Sequence, residues 1–164
     1  MMKRKMIRKL FSLALVLMMA MIAVEASAES AAQDEFKTQR ENAVAAMKVS
    51  LPDAQLNYAV RDRDDGQYRW NLFFTQGSSL GVCKVNERDN TIRKVELYDK
   101  TDKALTADQA VEKLVAEKGA MTITDLDLDW DDGALCYEGE AEQNGRRYEF
   151  EMTAAGRIIE WERD

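Results

Sequence analysis

The densest group of chemically capable side chains is the run Asp125, Asp127, Asp129, Asp131 and Asp132 before Gly133, with Glu138 a few residues later. Several carboxylate oxygens close in sequence suit a hard cation such as calcium. Counted from Asp127, acids fall at loop positions 1, 3, 5 and 12, but Gly133 arrives at position 7, where an EF-hand needs its glycine at 6. Leu126, Leu128 and Trp130 also alternate with the acids as a strand does. The run therefore reads as a solvated strand face meeting a turn, with no metal ligands. Paired carboxylates can act as a general acid and base, but only in a cleft that raises one pKa. On an open sheet face they stay ionised.

Histidine is absent from all 164 residues. Its absence removes the usual general base at neutral pH and the commonest transition-metal ligand. Serine-histidine, cysteine-histidine and HExxH chemistries go with it. Only Cys83 and Cys136 could ligate a soft metal, and two thiols without histidine make a poor zinc site. No catalytic, cofactor-binding or metal-ligating residue follows from the sequence, which points away from an enzyme.

The N-terminus carries Lys3, Arg4, Lys5, Arg8 and Lys9, then an apolar run from Leu10 to Val24 broken by Ser12, then Ala26, Ser27 and Ala28. This is the three-part layout of a secretory signal, with Ala26 and Ala28 at the cleavage site. The apolar run is shorter than the roughly 18 to 20 residues that span a bilayer. Residues 1–28 are thus expected to be a signal helix removed on export, with membrane contact only while it is uncleaved. Its removal takes five basic groups and one acid and leaves a net charge of −11 over 136 residues. Such a chain repels nucleic acid and anionic membranes, whereas a cationic partner or wall polymer is easier to accommodate. Export would also expose Cys83 and Cys136 to oxidising conditions. Cys136 shares a strand face with Glu138 and Glu140 and Cys83 one with Val85, so the period-2 pattern favours unpaired thiols.

The exported part divides into two stretches of about 60 residues with the same order of elements. A helix over Asp34 to Lys48 places Phe36, Ala43, Val44 and Met47 on one face and ends at Leu51 and Pro52. In the second helix Thr106 and Gln109 form a capping box, Ala110, Val111, Leu114 and Val115 make the apolar stripe, and Gly119 stops the helix. After each helix the period changes to 2. Ala54, Leu56, Tyr58 and Val60, then Tyr68, Trp70, Leu72 and Phe74, alternate on either side of Asp64-Asp65-Gly66. Leu126, Leu128 and Trp130, then Leu135, Tyr137 and Gly139, do so around Asp131-Asp132-Gly133. Two further strands follow in each unit: Leu80 to Asn86 and Thr91 to Tyr98, then Arg147 to Met152 and Arg157 to Trp161. The expected fold is α+β: after the signal helix, two tandem repeats, each one helix on a four-stranded antiparallel sheet. Small cores and a short linker favour packing of the repeats on each other. Tyr68, Trp70 and Phe74 read as core beneath the helix, and Phe73, on the opposite face beside Asn71 and Arg69, as a partner-contact residue.

The segments LTADQAVEKLVAEKG, YEGEAE, NG, YEFEMT and IIEWERD resemble a PepSY domain over 105–164, and RWNLFF, CKVN and IRKVELYD resemble a diverged copy over 34–99. The architecture is similar to that of β-lactamase inhibitor proteins, and similar domains occur in propeptides of thermolysin-type metallopeptidases. The resemblance implies a secreted or envelope-located, non-catalytic protein that binds and inhibits or regulates an extracytoplasmic peptidase. The alternative is a structural or ligand-binding envelope module without a peptidase partner.

Overall fold

The computed structural model describes residues 30–164 apart from Asp65 and Asp102. The segment read as a signal, with its helix and cleavage residues Ala26 and Ala28, lies outside the described residues. The chain divides into two compact units, Met1–Gln39 and Arg40–Asp164. In the first, the helical residues carry i to i+4 hydrogen bonds from Thr38 Oγ1 to the Asp34 carbonyl (2.8 Å) and from Gln39 Nε2 to Glu35 Oε1 (3.1 Å). No helix among the described residues is long and apolar enough to cross a membrane.

Residues 30–50 are helical (α1). A meander of β1 (Gln55–Asp64), β2 (Gln67–Gln76), β3 (Ser79–Asn86) and β4 (Ile92–Asp99) follows, every neighbouring pair antiparallel. Then come α2 (Ala107–Lys118) and a second meander of β5 (Thr122–Asp131), β6 (Ala134–Gln143), β7 (Arg146–Thr153) and β8 (Ile158–Arg163). Among the described residues the fold is α+β, two helices and two four-stranded antiparallel sheets in tandem.

Local chemistry explains the punctuation. Gln109 Oε1 accepts the Thr106 backbone N–H at 3.0 Å, closing the start of α2. Gly119, at φ 97°, ends it with its N–H on the Val115 carbonyl. Asp132 (φ 43°) with Gly133 (φ 80°), and Asn144 (φ 53°) with Gly145 (φ 70°), both occupy the left-handed region. Two successive positive φ values are what a two-residue hairpin turn of the right twist demands.

Two cores hold the second unit together. In the first, Ala43 and Met47 of α1 meet Trp70, Leu72, Phe74, Cys83 and Val85 on one face of the first sheet. The other joins both repeats: Ala107, Ala110 and Leu114 of α2 and Leu126, Leu128, Tyr137, Phe150 and Met152 of the second sheet meet Val60, Phe73, Leu80, Val82 and Tyr98. The first sheet is therefore buried on both faces. Its strand β1 serves both cores, because a bulge between Leu56 and Tyr58 breaks the alternation. Ala54 and Leu56 belong to the α1 core, and Tyr58 and Val60 to the shared one. The sequence pattern had placed all four on one face.

Candidate functional site

The second sheet has one greasy and one charged side, written in the alternation of its strands. Leu126, Leu128, Tyr137, Phe150 and Trp161 point toward the core with α2. Asp125, Asp127, Asp129 and Asp131 take the other side of β5, and the registers bring the acids of the remaining strands beside them. Asp127 stands opposite Glu138, Glu138 opposite Glu151, and Glu151 opposite Glu160. In the adjacent row Asp125 faces Glu140, Glu140 faces Glu149, and Glu149 faces Glu162. Directly paired residues hold their Cβ atoms about 4.5 to 5.5 Å apart, where like charges destabilise a sheet. An open groove of about 530 Å³ runs over this surface, lined by Asp125, Asp127, Asp131, Glu138, Glu149, Glu151 and Glu160.

Relief of the repulsion is confined to the margins. Lys84 of β3 pairs with Asp127, and Arg147 reaches Glu140 at 3.4 Å. Burial, with Asp62 nearby, pushes the Asp125 carboxyl up to about 6. Partial burial and then Glu151 raise Glu138 in the same direction. The Cys136 thiol, buried beneath these acids, is pushed up to about 12 by desolvation and then by its hydrogen bond with Glu151. It is held as the unreactive thiol.

The four aspartates of β5 lie along a strand at i, i+2 spacing, about 6.6 to 6.8 Å apart, instead of wrapping around a point. Among the described residues no group of three or more His, Cys, Asp or Glu side chains is arranged to hold a metal ion. What the face can do is bind positive charge over a broad area.

The residue singled out from sequence as a partner contact is displaced from that role. Phe73 is 2% exposed and sits in the core shared by the repeats, with ring centroids 6.5 Å from Tyr58 and 6.3 Å from Tyr137. The face it shares with Asn71 and Arg69 is covered by α2 and β5, so its ring is out of a partner's reach. Trp70 and Phe74 are buried under α1. Tyr68, read as part of the same stripe, is instead 42% exposed, with the Arg61 guanidinium 3.8 Å over its ring. It lies at the strand end, past the reach of the helix. Cys83 and Cys136 are both buried and unpaired.

Asn71 is a residue that sequence reasoning passed over. Fully buried, it donates from Nδ2 to the Leu126 carbonyl at 3.0 Å, tying β2 to β5 across the two sheets. Its signal was a lone amide inside the apolar run RWNLFF. Beside it, at the junction, a cleft of about 450 Å³ is lined by Arg61, Arg63, Arg69 and Arg147 together with Asp62, Asp125 and Glu140. A second open hollow of about 520 Å³ gathers Arg69, Lys84, Arg93 and Lys94 on the first sheet. Arg69 is engaged by Asp62 at 2.6 Å and Lys94 by Glu96 at 2.7 Å, Lys84 reaches Asp127 of the acidic face, and Arg93 donates to Gln67 Oε1 at 3.1 Å.

Residues 104–163 match the family model described as "Peptidase propeptide and YPEB domain", PepSY. Among solved structures, a chain from Clostridium difficile 630 described as a candidate lipoprotein is similar at 14% identity and a TM-score of 0.42. The similarity covers 74% of this chain and 90% of that one. No curated protein matches. The match to the PepSY model takes in α2 and all four strands of the second sheet.

Proposed function

We propose that the protein is a non-catalytic, extracytoplasmic PepSY protein that binds a peptidase and inhibits or regulates it. The observation that carries this reading is the match of residues 104–163 to the PepSY model, whose family description names peptidase propeptides. The chemistry agrees: the chain lacks histidine, and the carboxylates of the second sheet line an open groove, with the Cys136 thiol beneath them pushed up to about 12 and so kept protonated. The signal-like segment at 1–28 supports export. A protein regulator needs exposed sheet or loop surface, whereas a small-molecule binder needs an enclosed apolar cavity, and the hollows here are open and polar-lined.

Affinity capture from the culture medium of the source organism, with residues 29–164 as bait, tests this. Recovery of a peptidase whose progress curves slow reversibly and in proportion to added protein is the expected result. Capture of only a wall polymer or a small ligand would replace the reading with that of an envelope module.

A further inference from the structure

We infer that β4, the outer strand of the first sheet, is the surface through which two copies of this chain pair edge to edge across a two-fold axis. The inference stands apart from the peptidase reading and names a different partner for a different surface.

Each sheet has two edge strands, β1 and β4 in the first, β5 and β8 in the second. An edge presents a row of unpaired N–H and C=O groups, which folded proteins guard with charge, bulges or a covering element. β1 and β5 lie against each other. β8 carries Glu160 and Glu162, each opposite a glutamate of β7, so its outer side is guarded by negative charge. β4 is different. No strand pairs with its outer side among the described residues, and the register shift at its Arg93 end leaves Lys94 to Asp99 regular. Arg93 and Lys94 balance Glu96 and Asp99, so the strand is neutral in a chain of net charge −7.

Apolar side chains mark this margin on both faces of the sheet. Val95 stands opposite Cys83 and Leu97 opposite Gly81, which puts both on the α1 face, yet they are 39% and 51% exposed. A Cβ on Gly81 would meet the Phe74 ring. The core beneath α1 therefore runs through Phe74 and Cys83 to β4 and ends there in solvent. On the other face β5 crosses the sheet: the Leu126 carbonyl accepts from Asn71 of β2, Asp127 pairs with Lys84 of β3, and Asp129 acts electrostatically on Lys94 and Tyr98 of β4. The next residue, Trp130, is 55% exposed and stands at the β4 margin.

The occupant follows from the register. Antiparallel pairing of β4 with its own copy sets residues of one face opposite each other, so the axis passes through a residue. At Val95 it opposes Val95 to Val95, with Leu97 on the diagonal, and Lys94 to Glu96 twice. Lys94 and Glu96 pair at 2.7 Å within the strand, and each can turn to the second copy's partner. Apolar pairs and opposite charges directly across strands both stabilise. With the axis at Lys94, Glu96 or Leu97, Lys94 would oppose itself, Glu96 itself, or Lys94 would oppose Lys100. The contact at Val95 is self-complementary and closes at two copies.

Sedimentation velocity of residues 29–164 over a wide range of concentration tests this, with hydrogen exchange of the β4 amides beside it. A reversible monomer–dimer equilibrium is expected, with exchange in β4 slowing as dimer forms. V95K, which opposes lysine to lysine, should weaken association about tenfold or more while melting with the parent, since Val95 already faces solvent. K94E and E96K each oppose like charges and should associate less than the parent. K94E/E96K should regain the parent's association, and an equimolar mixture of the two single variants should associate more tightly than either alone. A monomer at every concentration, a dimer untouched by V95K and K94E, or β4 exchange that does not follow the dimer overturns the assignment. So does growth beyond two copies, which a two-fold contact forbids.

Discussion

Replacing Phe73 with alanine distinguishes a buried junction residue from an exposed contact. The ring is 2% exposed, belongs to the core spanning both sheets, and packs in tilted geometry on Tyr58 and Tyr137. Removing a buried phenylalanine costs roughly 3 to 5 kcal/mol, the lost transfer energy plus the cavity left behind. The tilted ring pairs place Phe73 in the middle or upper part of that range, so about 4 kcal/mol is expected for F73A. Against a total stability of about 5 to 15 kcal/mol, that is a large share. For a chain of this size it corresponds to a fall in Tm of roughly 12 to 20 °C. A surface contact would change stability by no more than about 0.5 kcal/mol. Urea unfolding of residues 29–164, followed by tryptophan fluorescence and far-UV circular dichroism, reads this directly. Trp70 reports on the first sheet, Trp130 and Trp161 on the second. Because the core is shared, the transition should stay single while its midpoint drops. A loss below about 1 kcal/mol, or separate transitions of which only one moves, would refute the reasoning.

Other outcomes follow from the same structure. N71A removes the amide that donates to the Leu126 carbonyl and should cost about 1 to 3 kcal/mol, measured by the same urea titration. G139A places a Cβ against the Asp125 backbone carbonyl and should destabilise the second sheet, seen as a lowered Tm. For Asp125 the folded-state carboxyl is raised to about 6, first by burial and then by Asp62. The folded protein holds that proton more tightly than the unfolded chain, so stability from this group is full below the ordinary aspartate value near 4 and lost as pH rises through about 6. D125N should therefore gain about 1 kcal/mol at pH 7.5, after allowance for solvent screening, and little at pH 4, as unfolding titrations at the two pH values would show. Residues 102–164 alone should melt well below residues 29–164, since Phe73, Val82 and Tyr98 are then missing from their core.

Elements whose causes are local were readable from the residues. Thr106 with Gln109, Gly119, Asp132-Gly133 and Asn144-Gly145 each act through their own backbone neighbours, and they bound α2 and the hairpins where expected. The acid alternation of β5 likewise follows from period 2. What was hidden depends on partners distant in sequence. Phe73 and Asn71 looked like an outer face because nothing local reveals that α2 and β5 cover it. The buried run from Trp70 to Phe74 in β2 carried the hint, since a strand apolar on both sides is one buried on both faces. The bulge after Leu56 shifts the phase of β1, and one extra residue is invisible to a count of alternating positions. The acidic rows required register: single strands show alternate acids, but only the pairing of Glu138 with Glu151 and Glu160 lines them up.

The most direct measurement of the central reading is a titration of residues 29–164 into the peptidase recovered from the culture medium, at fixed substrate, with the added chain examined afterwards by mass spectrometry. The predicted result is reversible inhibition that reaches a stoichiometric end point, with the protein intact and without turnover of its own. Unchanged peptidase activity at saturating protein, or hydrolysis catalysed by the purified chain itself, would contradict it.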